Sequence, residues 1–128
     1  MGERILVVDD NHDAADALAK LIQSFGYEAR AVYGGKQAVE ETVSFQPDMA
    51  LLDIGMPDLD GYATVQELRQ RRGQVHLIVV AVTGHNSDED KRHAYESGFD
   101  LHVAKPMDVE TLKDLLRLVD PEHENSAA

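Results

Sequence analysis

Five residues able to do chemistry stand at the ends of short apolar runs. Asp9 and Asp10 follow Ile5-Leu6-Val7-Val8, Asp53 follows Met49-Ala50-Leu51-Leu52, Thr83 follows Leu77 to Val82, and Lys105 follows Leu101 to Ala104. Taken singly each has an ordinary reading: an Asp-Asp pair caps a helix, a Thr ends a turn, a Lys sits solvated on the surface. Gathered in one place they need another account, because unit charges about 4 Å apart repel by roughly 4 kcal/mol at an effective dielectric near 20. Three clustered carboxylates cannot all stay ionised unaided. Either some carboxyl pKa values rise or a cation binds, and Lys105 supplies one positive charge against three negative ones. A divalent ion meets the need most simply. Carboxylate, carbonyl and water ligands without cysteine favour a hard ion, Mg2+ or Mn2+, that keeps several waters and is completed by substrate phosphate oxygens. A carboxylate nucleophile at Asp53, facing a phosphorylated donor beside such an ion, an ammonium and a hydroxyl, is a phosphoryl-transfer site whose product is an aspartyl phosphate. Positioning and charge neutralisation suffice there if the donor is a reactive phosphoramidate.

These residues meet only if the elements carrying them are arranged to let them. Ile5 to Val8 reads as a buried strand, after which Ala14, Leu18, Leu21, Ile22 and Phe25 recur at helical spacing. Asn11 or Asp13 can cap that helix, and Gly26 can supply the left-handed residue past its end. Glu28 to Val32 alternates polar and apolar like a half-exposed edge strand, and Gly34-Gly35 lead into a helix carrying Ala38, Val39, Thr42 and Val43, stopped by Pro47. Met49 to Asp53 is the third strand; a loop through Gly55-Met56-Pro57 and the Asp60-Gly61 turn leads to a helix with Val65 and Leu68 inward, ending at Arg71-Arg72-Gly73. Leu77 to Val82 is apolar on both faces, as an interior parallel strand should be. Ser87 caps a polar helix whose clear apolar anchors are Ala94 and Tyr95, so this helix has the weakest hold on the core. Leu101 to Ala104 is the last strand, and Asp108 caps a helix with the stripe Val109, Leu112, Leu115, Leu116 and Val119. Five strand-helix units with right-handed crossovers predict an α/β, doubly wound parallel sheet of order 2-1-3-4-5 with five helices, and ligands bind outside the carboxyl ends of such strands. That topology places Asp9, Asp10, Asp53, Thr83 and Lys105 around one pocket.

Composition narrows the field further. At 128 residues the chain can close one core and not two. Its 43% hydrophobic and 28% charged residues are those of a soluble globular protein rather than a disordered one. A net charge of -12, from 24 acidic against 12 basic residues, repels phosphate backbones and anionic headgroups, so no direct nucleic-acid or membrane partner is expected. The lack of cysteine excludes disulfides, thiolate zinc sites and Cys nucleophiles, and fits a reducing compartment. No apolar run approaches a membrane span and no charged-then-apolar leader precedes Ile5, so a cytoplasmic location is expected. Residues 1–120 read as one domain and 121–128, which lack a core face, as a flexible tail or linker stump.

The stretches Leu6-Val7-Val8-Asp9-Asp10-Asn11, Leu52-Asp53-Ile54-Gly55-Met56-Pro57-Asp58-Leu59-Asp60-Gly61, Val82-Thr83-Gly84 and Ala104-Lys105-Pro106 closely resemble the receiver domain of two-component response regulators. The resemblance covers about residues 4 to 119. It implies a flavodoxin-like fold, Mg2+ dependence, and phosphorylation by a histidine kinase or a histidine phosphotransfer protein, with a downstream protein partner receiving the signal. It implies that Asp53 accepts the phosphoryl group and that Asp10, Asp53 and the Gly55 carbonyl hold the metal, with Asp9 assisting through water. Thr83 and Lys105 would contact the phosphoryl oxygens, and the Lys105-Pro106 peptide bond would be cis. Receiver domains commonly carry Tyr or Phe three residues before the lysine as a switch coupled to the Thr; this chain has His102, which reads equally as a smaller switch or as a solvent-facing imidazole. Gly55 and His85 line the approach in such domains, where they tune phosphate hydrolysis. His12, His76, His93 and His123 lack metal-ligand spacing and read as surface or packing residues. The chain is then a stand-alone regulator, a phosphate shuttle or sink, or the receiver of a hybrid histidine kinase. The main alternative is a pseudo-receiver that binds partners without phosphorylation; its intact acidic set argues against that. Aspartate-based phosphohydrolases typically place a second Asp where Gly55 stands, and a nucleotide or flavin domain would need a Gly-rich loop where Asp9-Asp10 stand.

Overall fold

The computed structural model describes residues 3–54, 60–72, 77–84 and 87–120. Among them five strands, β1 (Arg4–Val8), β2 (Glu28–Val32), β3 (Met49–Asp53), β4 (Ile78–Thr83) and β5 (Leu101–Ala104), alternate with α1 (His12–Ser24), α2 (Gly35–Phe45), α3 (Gly61–Arg72), α4 (Asp88–Ser97) and α5 (Val109–Leu116). The strands form one parallel sheet in the order β2-β1-β3-β4-β5. Period-two alternation divides the central strands between two cores. Leu6, Val8, Ala50, Leu52, Val79 and Ala81 pack with Ala38, Val39, Phe45, Val65, Leu68 and Ala94, which come from α2, α3 and α4. Ile5, Val7, Met49, Leu51 and Val80 pack with Ala15, Ala19, Ile22, Leu112, Leu115 and Leu116 from α1 and α5. Burial on both faces is why β1, β3 and β4 read as unbroken apolar runs. The register sets Val8 beside Leu52, Asp53 beside Val82 and Thr83 beside Ala104, so the chain leaves these four strands at one level. Among the described residues, no helix is long and apolar enough to cross a membrane.

Caps fix where the helices begin. The Asn11 side chain accepts from the Ala14 N–H at 3.1 Å, Asp60 from the Ala63 N–H at 2.8 Å, and Asp108 from the Thr111 N–H at 2.8 Å. Ser87 and Asp90 form a reciprocal capping box at the start of α4. Gly26 takes φ +99° just past α1, a backbone region that disfavours side chains bearing a Cβ. At the end of α2 it is Gln46, at φ 51°, that turns the chain left-handed before Pro47.

Four apolar residues depart from the expected inward stripes: Ala14 of α1 is exposed while its neighbour Ala15 is buried, and three more lie in α2, α4 and α5. Val43, Tyr95 and Val109 are 58%, 49% and 46% exposed. Val43 and Tyr95 each stand one residue, about 100° around the helix, past a buried neighbour, Thr42 or Ala94, and the buried faces are completed instead by Phe45 and Ser97. Val109, at the first turn of α5, lies above the buried Leu112, Leu115 and Leu116.

The end of the sheet away from the Asp residues is held by Arg69 of α3. Its Nε and Nη2 donate to the Gly98 carbonyl at 3.0 and 2.7 Å, Nη1 to the Leu77 carbonyl at 2.6 Å, and Nη2 to Asp100 Oδ2 at 2.6 Å. The same Asp100 oxygen accepts from the Val79 N–H at 2.8 Å. One guanidinium thus ties α3 to the start of β4 and to the turn joining α4 to β5. Arg69→Met, which keeps the stem and removes the donors, is expected to cost about 2–3 kcal/mol, the scale of lost hydrogen bonds to a charged group, measured by urea denaturation.

Candidate functional site

The first acidic residues are set by the turn between β1 and α1. The Asp9 N–H donates to the Val32 carbonyl at 3.2 Å, and Asp9 Oδ1 accepts from the Asn11 N–H at 3.0 Å, so Asp9 is half-buried and oriented by the residue that caps α1. Asp10 next to it is exposed. Asp53 ends β3 with its side chain 14% exposed, and its Oδ1 lies 2.9 Å from Lys105 Nζ. Carboxylate oxygens of Asp9, Asp10 and Asp53 all lie within 4.8 Å of one another. Thr83 is buried at the end of β4, and its carbonyl accepts from the Lys105 N–H at 2.8 Å, which fixes the backbone that carries the ammonium. The Lys105–Pro106 peptide bond is cis.

Burial raises the Asp53 carboxyl pKa above its ordinary value; hydrogen bonding and attraction from Lys105 oppose this, and the charges of Asp9 and Asp10 add to it. Burial alone would lower the Lys105 ammonium, but the hydrogen bond and charge of Asp53, with Asp9 and Asp10 behind it, outweigh that and raise it. The site therefore holds its cation firmly and its central carboxylate under strain. A nucleophilic carboxylate, an ammonium beside it, and a hard-oxygen cluster spaced for an ion is an arrangement suited to receiving a phosphoryl group.

The family model for the response regulator receiver domain matches residues 5–117. The chain belongs to this family. The receiver is 31% identical over 121 residues to the DNA-binding dual master transcriptional regulator RpaA of Synechocystis, a match covering 91% of the receiver and 50% of RpaA. It is 34% identical over 114 residues to the sensor histidine kinase RcsC of Escherichia coli, covering 89% of the receiver and 12% of RcsC. The chain therefore spans half or less of the length of these relatives. In structure it is similar to a CheY-like receiver domain from Methylobacillus flagellatus, with TM-score 0.81, 27% identity, and 94% and 100% of the two chains covered. A CheY-like receiver domain from Methanospirillum hungatei, 24% identical with TM-score 0.85 over 98% and 99% of the chains, shares the fold. Five parallel strands in the order 2-1-3-4-5 with five helices are the flavodoxin-like fold of this family.

Gly55 and His85, with His76 and His123, lie outside the described residues. His102 is half-buried: its Nε2 is out of reach of solvent and has no hydrogen-bond partner among the described residues. The cause is tertiary, because His102 pairs with the buried Ala81 of β4 on the sheet face that α4 covers. His12 stacks on Tyr33 with ring centroids 3.9 Å apart, and Tyr33 donates its hydroxyl to Asp16 at 2.6 Å, bracing the first turn of α1 beside the acidic pair.

Gly61 is a site residue that motif reading treats only as a turn. A Cβ there would stand 2.9 Å from Ile54 Cα and 3.3 Å from the Asp53 carbonyl oxygen, so α3 starts directly against the backbone that carries the central carboxylate. The Asp-Gly dipeptide ahead of a helix was the available signal; the close approach needs the tertiary structure. Gly61→Ala is expected to lower stability by about 1–3 kcal/mol through overpacking, read from urea denaturation. A second expectation follows from the raised Asp53 pKa. Its contribution to stability is complete below the ordinary carboxylate pKa and is lost as pH rises through the folded value. Without divalent ions, Asp53→Asn should therefore melt above wild type near about pH 7, the gap closing toward about pH 4. The amide oxygen still accepts from Lys105. Thermal melts across this pH range check the sign.

Proposed function

We propose that this receiver takes a phosphoryl group onto Asp53 from a phosphohistidine of a histidine kinase or histidine phosphotransfer protein and relays that state to a downstream protein. The observation that supports this most is the 2.9 Å pair of Asp53 and Lys105 inside an oxygen cluster spaced for a divalent ion. A carboxylate oxygen of Asp53 attacks phosphorus, the P–N bond breaks, and the donor imidazole leaves with the electron pair. The Lys105 ammonium lies where charge gathers on the phosphoryl oxygens, and the Thr83 hydroxyl, at the end of the neighbouring strand, is assigned to donate to the same oxygens.

The donor set fits Mg2+ or Mn2+: hard carboxylate oxygens, one of them on the exposed Asp10, with room for water. Asp10 and Asp53 would ligate directly with the Gly55 carbonyl, and Asp9 through water. The ion supplies charge neutralisation for the incoming phosphoryl group. The kinase or phosphotransfer partners follow from the two-component family, with the sensor histidine kinase RcsC among its relatives. A cytoplasmic setting suits such partners, and residues 1–120 form the receiver unit in this reading.

Incubation with acetyl phosphate followed by intact-mass measurement is the direct test. A Mg2+-dependent gain of one phosphoryl group by wild type, absent in Asp53→Asn, is expected; no gain in any condition would overturn the reading and favour phosphorylation-independent binding. Lys105→Ala should leave Mg2+ binding largely intact but uncouple phosphorylation from the change at the surface around α4, β5 and α5. Equal responses of variant and wild type, followed by backbone amide shifts, would contradict the role given to Lys105.

A further inference from the structure

Resting on the acceptor role of Asp53, we propose that Gly61, Tyr62 and His93 form a mechanical link that carries the state of the β3 end into α4 through a stacked ring pair. The link begins at the acceptor's own backbone. Gly61 leaves no space for even a methyl group between α3 and the Asp53-Ile54 segment, with Ile54 Cα 2.9 Å and the Asp53 carbonyl 3.3 Å from a Cβ built there. Close-packed contacts of this kind transmit displacement rather than absorb it. The next residue, Tyr62, packs against the same core as Ile54. Its ring lies flat on His93 of α4, centroids 3.8 Å apart and planes 13° apart, with Phe99 edge-on at 6.3 Å and 83°. Asp90 of α4 is also near enough, with Asp60, to help raise the Tyr62 phenol, after burial.

The mechanics of α4 make this contact consequential. Ala94 and Ser97 are its buried residues, so its grip on the core is slight. Its C-terminal end is held by Arg69 on the Gly98 carbonyl and by the Phe99 N–H on the Ala94 carbonyl. Its N-terminal capping box, Ser87 with Asp90, is internal to the helix and its start. With the far end of α4 fixed, the Tyr62-His93 stack ties its middle to the helix that abuts the acceptor. β5 offers the imidazole of His102, with its Nε2 buried, in place of the Tyr or Phe common at that position. The stack is a coupling element of a different kind, reaching α4 from α3 instead of from β5.

The test uses the whole chain with Mg2+, with and without acetyl phosphate. Intact mass and amide hydrogen exchange across residues 88–97 are read on the same samples. In wild type, phosphoryl uptake should change α4 exchange. His93→Ala should take up phosphoryl undiminished while that change falls by about two- to tenfold, the scale of one aromatic pair. His93→Phe, which keeps a ring on Tyr62, should restore it; loss of helix packing alone predicts no such rescue of a phosphorylation response. Normal uptake with an undiminished α4 response in His93→Ala, no α4 response in wild type, or no restoration by His93→Phe would each overturn the link alone. Failure of wild type to take up phosphoryl would instead overturn the acceptor reading on which the link rests.

Discussion

The mutual repulsion of Asp9, Asp10 and Asp53 is the constraint around which this receiver is built. Parallel pairing holds β1 and β3 in register as far as Val8 and Leu52, so the backbones that carry Asp9 and Asp53 are set side by side. Their oxygens stay within 4.8 Å, with one ammonium from Lys105 placed against them. A stable core thus imposes an unstable charge arrangement at one of its ends. The direction of the Asp53 shift expresses that, with burial and two neighbouring carboxylates outweighing Lys105. A site of this kind responds to added positive charge and to anything that replaces the Asp53 carboxylate by a group able to engage Lys105 differently.

The two ends of the sheet are correspondingly unlike. At the far end Arg69 makes four hydrogen bonds, to Gly98, Leu77 and Asp100, that tie this end together. At the acidic end stand the carboxylates of Asp9, Asp10 and Asp53, and α4, with two buried residues, runs between the two ends. Such asymmetry gives a local change at Asp53 a rigid base to push against and a weakly held helix to move.

Much of the fold was legible because it is local. The limits of β2 and β3, the caps Asn11, Ser87 and Asp108, and the strand order follow from apolar runs, side-chain oxygens at helix starts, and handed crossovers. What was illegible depends on phase or on distant neighbours. Helical spacing shows that Val43 and Tyr95 belong to helices but not that Phe45 and Ser97 would occupy the buried face instead. His102 lies on an edge strand, and the burial of its Nε2 depends on the folded surroundings of that strand. Arg69 and Asp100 look like solvated charges until the turn after α4 is folded against α3. In the site, the residue types and the sheet order pointed to one cluster, whereas the oriented Asp9, the Asp53-Lys105 contact and the tight seat of Gly61 are properties of the folded chain.

The most direct test of the central claim, that the three carboxylates are arranged to hold a divalent cation, is a Mg2+ titration followed by backbone amide NMR shifts in wild type and Asp10→Asn. Saturable shifts centred on residues 9–11, 53–54 and the neighbouring strand ends at 83–84 and 105 are expected, and their loss in Asp10→Asn. Shifts that do not saturate, or an identical titration in Asp10→Asn, would contradict that claim.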